Sequence, residues 1–246
     1  MDEGRQLCRI IGESTTDYTK LPKWPGVAER ISAFNPEARF LYIMRDPIQR
    51  TISHYWWNVW KEGETREMLT AVKEDPFYHQ VSDYAMQLTP YLERVGSSRV
   101  MTIAYEDFVD DPLSVLQSIF AWLGVDPHFV PANLHTKENV TPTEIHQVKN
   151  RFLHKFRHSR LWNQIGHYAP GFVRRFGRLL VERRVSRTTD VSPDVLEYLK
   201  PIVREQITRL TQLLGRPFPQ WHGVSENGIP IHGDQIAQSS KAGHDD

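Results

Sequence analysis

The chain has 246 residues, of which 39% are hydrophobic and 24% charged, and its formal net charge at pH 7 is zero. That length supports one sizeable core, and the balanced charge argues against nucleic-acid binding by the whole chain. A single cysteine, Cys8, excludes an internal disulfide, and the histidines form no His-Glu-x-x-His pair, so we expect no metal. No signal peptide or apolar run of about 18 residues occurs, so we expect a cytoplasmic protein.

Strand and helix patterns alternate along the chain. A short strand is expected at residues 8–11, then a helix over 27–34 with Val27, Ile31 and Phe34 on its inner side. Further along, the sequence predicts a strand over 40–44 that is buried on both faces, a helix over 47–61, a loop over 61–75, a helix over 82–95, a strand over 100–104, a helix over 112–123 and a long helix over 193–214.

This alternation predicts an α/β fold, in which a parallel sheet has helices on both faces, with a helical C-terminal part. Residues 1–221 are expected to form one domain. Residues 222–246 are rich in Gly, Ser, Asp and His, a composition typical of a disordered tail.

A strand meets a helix at a positively charged turn. The apolar run 40–44 is followed by Arg45, then by Asp46, a good helix N-cap, and by Pro47, which suits the first helical position. Arg45 therefore lies at the carboxyl end of a parallel strand, where open α/β sheets bind ligands. A guanidinium beside helix-terminal amides suits a phosphate, to which the hydroxyl of Ser53 can add a hydrogen bond.

Four ordered segments resemble the sulfotransferase family, in particular its bacterial and heparan-type members. The turn above matches the family's strand, Arg-Asp-Pro and following helix with Ser-His-Tyr. The other three are Gly-Glu-Ser-Thr-Thr-Asp-Tyr-Thr-Lys at 12–20, Ala-Tyr-Glu-Asp-Phe with Asp-Pro at 104–112, and Gly-Arg-Pro-Phe-Pro-Gln-Trp at 215–221.

The same resemblance identifies a missing element. Family members hold the 5′-phosphosulfate of their donor with an N-terminal strand and a Lys-x-Gly-Thr-Thr type loop, and no such loop occurs in this sequence. Residues 12–16 contain no Lys and carry Glu13 where an anion would sit. The resemblance therefore implies a P-loop NTPase-like sheet that lacks its first strand and loop, as an N-terminally truncated domain would.

The activity implied by the resemblance is transfer of a sulfuryl group from 3′-phosphoadenosine 5′-phosphosulfate to a hydroxyl or amine. Glu13 matches the catalytic base of heparan-type members, and His54 is the weaker alternative, because other branches use a histidine. Arg45 and Ser53 match the pair that holds the donor's 3′-phosphate. Tyr84 matches a position near the nucleotide.

Each of these residues also has a structural interpretation. Glu13 could cap a backbone turn, and Arg45 could pair with Asp46 or Glu13. Ser53 could bond its own helix backbone. Tyr84, at the start of an amphipathic helix, could belong to the core.

The segment 149–187 is basic and aromatic and contains the single acid Glu182. It could cover the active site, contact an anionic membrane surface or form a solvated helix face. Arg151, Lys155 and Arg157 are candidates for a second contact to the 3′-phosphate. The expected partners are a small-molecule or carbohydrate acceptor and, at the sheet left exposed by the missing strand, a second copy of the chain.

Two other functions stay open. A non-catalytic remnant could bind 3′-phosphoadenosine 5′-phosphate or a protein partner, and a Lys-x-Gly-Thr-Thr loop upstream or on another chain would distinguish an enzyme from it. A phosphoryl-transfer enzyme has less support, because neither Gly-x-x-x-x-Gly-Lys-Ser/Thr nor a magnesium-holding Asp after a strand is visible.

Overall fold

A computed structural model describes residues 10–134, 136, 142, 144–148, 182–187 and 191–221. These residues divide between two compact units. The first contains residues 10–46, 83–134, 136 and 205–221, and the second contains residues 47–82, 142, 144–148, 182–187 and 191–204. The organisation of 1–221 as one domain stays a prediction.

Helices and strands alternate in the described residues, which confirms the α/β fold class. In chain order the elements are α1 (Val27–Phe34), β1 (Phe40–Met44), α2 (Pro47–Lys61), α3 (Met68–Glu74), α4 (Phe77–Gln80), α5 (Tyr84–Val95), β2 (Val100–Ala104), α6 (Tyr105–Asp110), α7 (Pro112–Leu123), β3 (Glu144–Val148), β4 (Glu182–Ser186) and α8 (Pro193–Leu214).

The first unit contains a parallel pair of strands. β1 pairs with β2 so that Phe40 lies opposite Val100 and Met44 opposite Ala104. Because the two strands end together, the residues that follow them, Arg45 and Tyr105, come to the same edge of the sheet.

One face of this pair lies on the core of the first unit. Alternate β1 residues point toward α1, α5, the end of α8 and the residues after it. The core consists of Ala28, Met44, Tyr84, Ala85, Leu88, Tyr91, Val95, Val100, Leu210, Phe218 and Trp221, with Ile31, Phe40, Tyr42, Leu92, Ile207 and Leu214 packed against it.

The opposite face of β1 is open, which corrects the expectation of a strand buried on both faces. Leu41 is 43% exposed and Ile43 is 48% exposed. Phe34, expected on the inner side of α1, is 91% exposed, and Ala28 packs into the core instead. Ile31 packs against the core as predicted, and α1 lies against α5.

Side-chain caps explain where two helices of the first unit begin. Asp83 accepts a hydrogen bond from the backbone N–H of Met86 at 3.3 Å, so α5 begins at Tyr84. Asp111 accepts from the backbone N–H of Ser114 at 3.1 Å, so α7 begins at Pro112, as predicted. Gly124 ends α7 in the left-handed region, with φ 77°.

The second unit is built on α2, which packs against α3, α4 and β3. β3 and β4 form an antiparallel pair, with Glu144 opposite Ser186. The prediction of a loop over 61–75 is wrong, because α3 occupies Met68–Glu74 and buries Ala71 and Val72.

Some predictions concern residues that lie wholly or partly outside the described ranges. Residues 149–181 of the basic segment lie outside the described residues, and residues 182–186 form β4. Residues 222–246 lie outside the described residues as well. Ile10 and Ile11 are in no strand, and the rest of the strand expected over 8–11 is not described. Across the part of the chain that the structure describes, no helix is both long and apolar enough to cross a membrane.

Candidate functional site

Arg45 directly follows β1, at the edge of the sheet where both strands end. Its guanidinium carbon lies 5.4 Å from the centre of the Tyr105 ring, in a cation–π contact. Among the described residues, no carboxylate forms an ion pair with this guanidinium. The expected alternative, in which Arg45 pairs with Asp46 or Glu13, is therefore wrong.

The backbone of Arg45 is held by a single buried hydroxyl. The N–H of Arg45 donates to the Tyr84 hydroxyl oxygen at 3.0 Å, and the same hydroxyl donates to the Arg45 carbonyl oxygen at 2.7 Å. Tyr84 is only 2% exposed, and its ring packs against Tyr42 and Trp221 with centroids 5.8 Å away in both cases. The structure thus places Tyr84 beneath Arg45, with its hydroxyl already used.

The next peptide is held from α6. The backbone N–H of Asp46 donates to Glu106 Oε1 at 2.9 Å, and the indole N–H of Trp221 donates to Glu106 Oε2 at 2.9 Å. Both carboxylate oxygens of Glu106 are therefore used in structural hydrogen bonds, one to a backbone amide and one to an indole. Asp107 accepts from the Gln220 side chain at 3.3 Å.

Glu13 lies on the surface, before a single 3₁₀ turn at Thr16–Thr19. Its carboxylate accepts a hydrogen bond from the Tyr18 hydroxyl, and this bond raises the pKa of Tyr18. The turn is capped by Thr15, whose hydroxyl accepts from the Asp17 N–H at 3.2 Å, so the capping role considered for Glu13 belongs to Thr15.

The segment that carries Glu13 is attached to α5. The Tyr91 hydroxyl donates to the Tyr18 carbonyl oxygen at 2.6 Å, and burial raises the pKa of Tyr91 to about 12, so the phenol keeps its proton at neutral pH. The Gln87 side chain exchanges two hydrogen bonds with the backbone of Leu21, at 2.8 and 2.9 Å. Glu13 itself stays accessible.

Ser53 lies on α2, in the second unit, and is half-buried. Its hydroxyl has no hydrogen-bond partner among the described residues. Thr51, on the same helix, does bond its helix backbone, donating to the Pro47 carbonyl oxygen at 2.8 Å. The alternative in which Ser53 bonds its own helix is therefore wrong.

Two other side chains of α2, His54 and Arg50, have structural contacts. The ring of His54 packs against those of Phe77 and Tyr78, with centroids 5.9 and 5.1 Å away. Arg50 Nη1 lies 3.5 Å from the Ser82 hydroxyl oxygen. The three basic candidates for a second phosphate contact, Arg151, Lys155 and Arg157, lie outside the described residues.

Sequence reasoning missed the buried contacts that hold the Arg45–Asp46 turn. Glu106 lies 60 residues after Asp46 and 115 before Trp221, so no local pattern connects the three residues. One signal was available, since Glu106 and Trp221 both belong to the segments that resemble the sulfotransferase family.

The fold and these contacts define an α/β protein with a parallel pair of strands, at whose carboxyl edge lies an arginine that has no ion-pair partner among the described residues. A model described as the sulfotransferase family matches residues 3–129, and the chain belongs to this family. The segments at 12–20 and 104–112 and the Arg45 turn lie inside that match, and 215–221 follows it.

A solved structure supports the same fold. The sulfotransferase from Alicyclobacillus acidocaldarius is 23% identical to this chain, with a TM-score of 0.53 over 81% of this chain. The match covers 63% of that protein, so the chain spans less than two thirds of its length. No curated protein matches the chain in sequence.

Proposed function

We propose that this chain takes part in transfer of a sulfuryl group from 3′-phosphoadenosine 5′-phosphosulfate to a hydroxyl or amine of a small-molecule or carbohydrate acceptor. In this reaction the acceptor atom forms a bond to sulfur as the bond from sulfur to the 5′-phosphate oxygen breaks. The acceptor's proton passes to a base, and 3′-phosphoadenosine 5′-phosphate leaves.

The observation that carries the proposal is the placement of Arg45 and of its charged side chain. Its backbone is fixed on both sides, its guanidinium has no described acidic partner, and it lies at the carboxyl edge of a parallel sheet. A preorganised guanidinium can give a phosphate two parallel charge-assisted hydrogen bonds. We assign Arg45 to the 3′-phosphate of the donor, because that is the role its sequence segment has in the family.

The other roles rest on sequence matches and on side-chain availability. Ser53, whose hydroxyl lacks a described partner, is the proposed second contact to the 3′-phosphate. Glu13 is the proposed base, since its carboxylate is exposed and the Tyr18 hydroxyl fixes its orientation. Tyr84 stays a prediction as a nucleotide contact, and its burial favours a role in holding Arg45.

We further propose that a strand and a Lys-x-Gly-Thr-Thr type loop, absent from this sequence, complete the donor site. Two features of the first unit support this. Leu41 and Ile43 leave an apolar face of β1 open, and within the described residues β1 pairs only with β2. An added parallel strand would use the free edge of β1, and its following helix would cover the open face.

The test is calorimetric titration of the chain with 3′-phosphoadenosine 5′-phosphate, comparing Arg45→Ala with Arg39→Ala. Arg39 precedes the same strand and stacks on Trp122 at 5.6 Å, so the two variants each remove one charge and one cation–π contact. We expect Arg45→Ala to weaken binding at least about tenfold, and Arg39→Ala to change it less than about twofold. Equal effects of the two variants would contradict the assignment of Arg45.

The second candidate is a remnant that binds 3′-phosphoadenosine 5′-phosphate or a protein partner without transferring sulfate. The two candidates separate when the chain is supplied with an upstream strand and loop. An enzyme would then consume 3′-phosphoadenosine 5′-phosphosulfate in the presence of an acceptor, whereas a remnant would bind the nucleotide without turnover.

A further inference from the structure

We infer that Glu106, Tyr84 and Trp221 form a positioning network that fixes the direction in which Arg45 presents its guanidinium. The inference rests on the proposed function, because it concerns how the same arginine meets its anion. All of these residues belong to the first unit.

The network acts on two successive peptide groups. The peptide before the Arg45 Cα is held through its N–H, which donates to Tyr84 at 3.0 Å. The peptide after it is held at both ends, because its carbonyl accepts from Tyr84 at 2.7 Å and its N–H, that of Asp46, donates to Glu106 at 2.9 Å. Since φ and ψ of Arg45 are the rotations between these two peptides, the contacts fix the direction of its Cα–Cβ bond.

Glu106 is suited to this role because it uses both carboxylate oxygens as acceptors. Oε1 takes the Asp46 N–H and Oε2 takes the indole N–H of Trp221. Trp221 is itself fixed, 5% exposed and stacked on Phe218 with ring centroids 4.2 Å apart. A glutamine of the same shape offers one acceptor oxygen and places an NH₂ group against a donor, so it can satisfy only one of the two partners.

Because Glu106 is charged, the positioning effect of Glu106→Gln on nucleotide binding can be distinguished from its electrostatic effect. A carboxylate near an anion site opposes anion binding, so its neutralisation alone should strengthen the binding of 3′-phosphoadenosine 5′-phosphate. Loss of the contacts that position Arg45 should instead weaken the binding of this nucleotide. Asp107 is the matched control, because it is the next residue on α6 and also accepts from the 215–221 segment, but among the described residues it makes no hydrogen bond to Arg45 or Asp46.

The experiment measures the dissociation constant for 3′-phosphoadenosine 5′-phosphate by calorimetry in the full chain with Glu106→Gln, Asp107→Asn, Arg45→Ala and the double variant of Glu106 and Arg45. We expect Glu106→Gln to weaken binding about tenfold and Asp107→Asn to leave it within about twofold. In the Arg45→Ala background, Glu106→Gln should add no further loss, because its effect passes through Arg45.

Several outcomes would overturn the inference. If Glu106→Gln binds like Asp107→Asn while Arg45→Ala is weakened, the network does not position Arg45, although the proposed function stands. If Glu106→Gln weakens nucleotide binding as much in the Arg45→Ala background as in the wild type, Glu106 affects binding by a route that does not involve Arg45. If Arg45→Ala itself binds like the wild type, the proposed function fails instead.

A second pair of variants keeps the test decisive if Glu106→Gln does not fold. Tyr84→Phe removes the hydroxyl that holds Arg45, and Tyr91→Phe removes a buried hydroxyl on the same helix that holds Tyr18 instead. We expect only Tyr84→Phe to weaken nucleotide binding, and to do so only when Arg45 is present. Equal binding by the two variants would contradict the network.

Discussion

Glu64 supports a prediction about acid stability in the second unit. Its carboxylate lies in the turn between α2 and α3, is 6% exposed, and accepts from the backbone N–H of Thr65 and Arg66, both at 2.9 Å. It also accepts from the Arg66 side chain and from the Tyr78 hydroxyl at 2.9 Å. Burial raises the pKa of Glu64, but the hydrogen bonds from Arg66 and Tyr78 outweigh it and lower the pKa to about 2.

The size of the effect follows from this shift. A fall in pKa from 4.5 to about 2 would correspond to about 3 kcal/mol of folding free energy at neutral pH. Arg66 is 27% exposed, so solvent screening reduces the expected contribution to about 1–2 kcal/mol. Because the folded pKa is depressed, this stability is complete above about pH 4.5 and is lost as the pH falls toward 2.

The assay is urea unfolding of the wild type and Glu64→Gln at pH 7 and pH 3. We expect the variant to be less stable by about 1–2 kcal/mol at pH 7, and this difference to fall by more than about half at pH 3. The control is Glu74→Gln, which removes the exposed second partner of Arg66 and should cost under about 0.5 kcal/mol at either pH. A difference between wild type and Glu64→Gln that is equal at the two pH values would refute the reasoning.

Other predictions concern packing in the first unit. Leu210→Ala removes a side chain that is 1% exposed and should cost about 2–5 kcal/mol in urea unfolding, whereas Leu213→Ala, 37% exposed on the same helix, should cost less than about 1 kcal/mol. Replacing both Leu41 and Ile43 by Lys should leave stability within about 1 kcal/mol and reduce self-association in sedimentation velocity. Phe34→Lys, a control on α1, should leave association unchanged, and an equal reduction would argue against the open sheet face.

Local patterns predicted the elements whose boundaries are set by nearby residues. α2 runs from Pro47 to Lys61 and α8 from Pro193 to Leu214, as the proline starts and apolar spacing predict. β1 and β2 have the predicted bounds because each is a short apolar run between helix signals. In these cases the information lies within a few residues of each boundary.

Tertiary contacts explain what local patterns missed. α3 lies within a polar stretch, and its burial of Ala71 and Val72 depends on packing. The pairing of β3 with β4 joins residues 144 and 186, far apart in the chain. In the candidate site, the sequence identified Arg45 from its place after a strand. Its support by Tyr84 and Glu106 depends on contacts 39 and 60 residues away in the chain.

The central claim, that the chain recognises the 3′-phosphate of a sulfuryl donor, is tested most directly by comparing two nucleotides on the unmodified chain. Calorimetry would measure the dissociation constants of 3′-phosphoadenosine 5′-phosphate and adenosine 5′-phosphate, which differ only in the 3′-phosphate. Charge-assisted hydrogen bonds to Arg45 predict binding of the first at least about tenfold tighter. Equal affinities, or no binding of either nucleotide by the folded chain, would contradict the account.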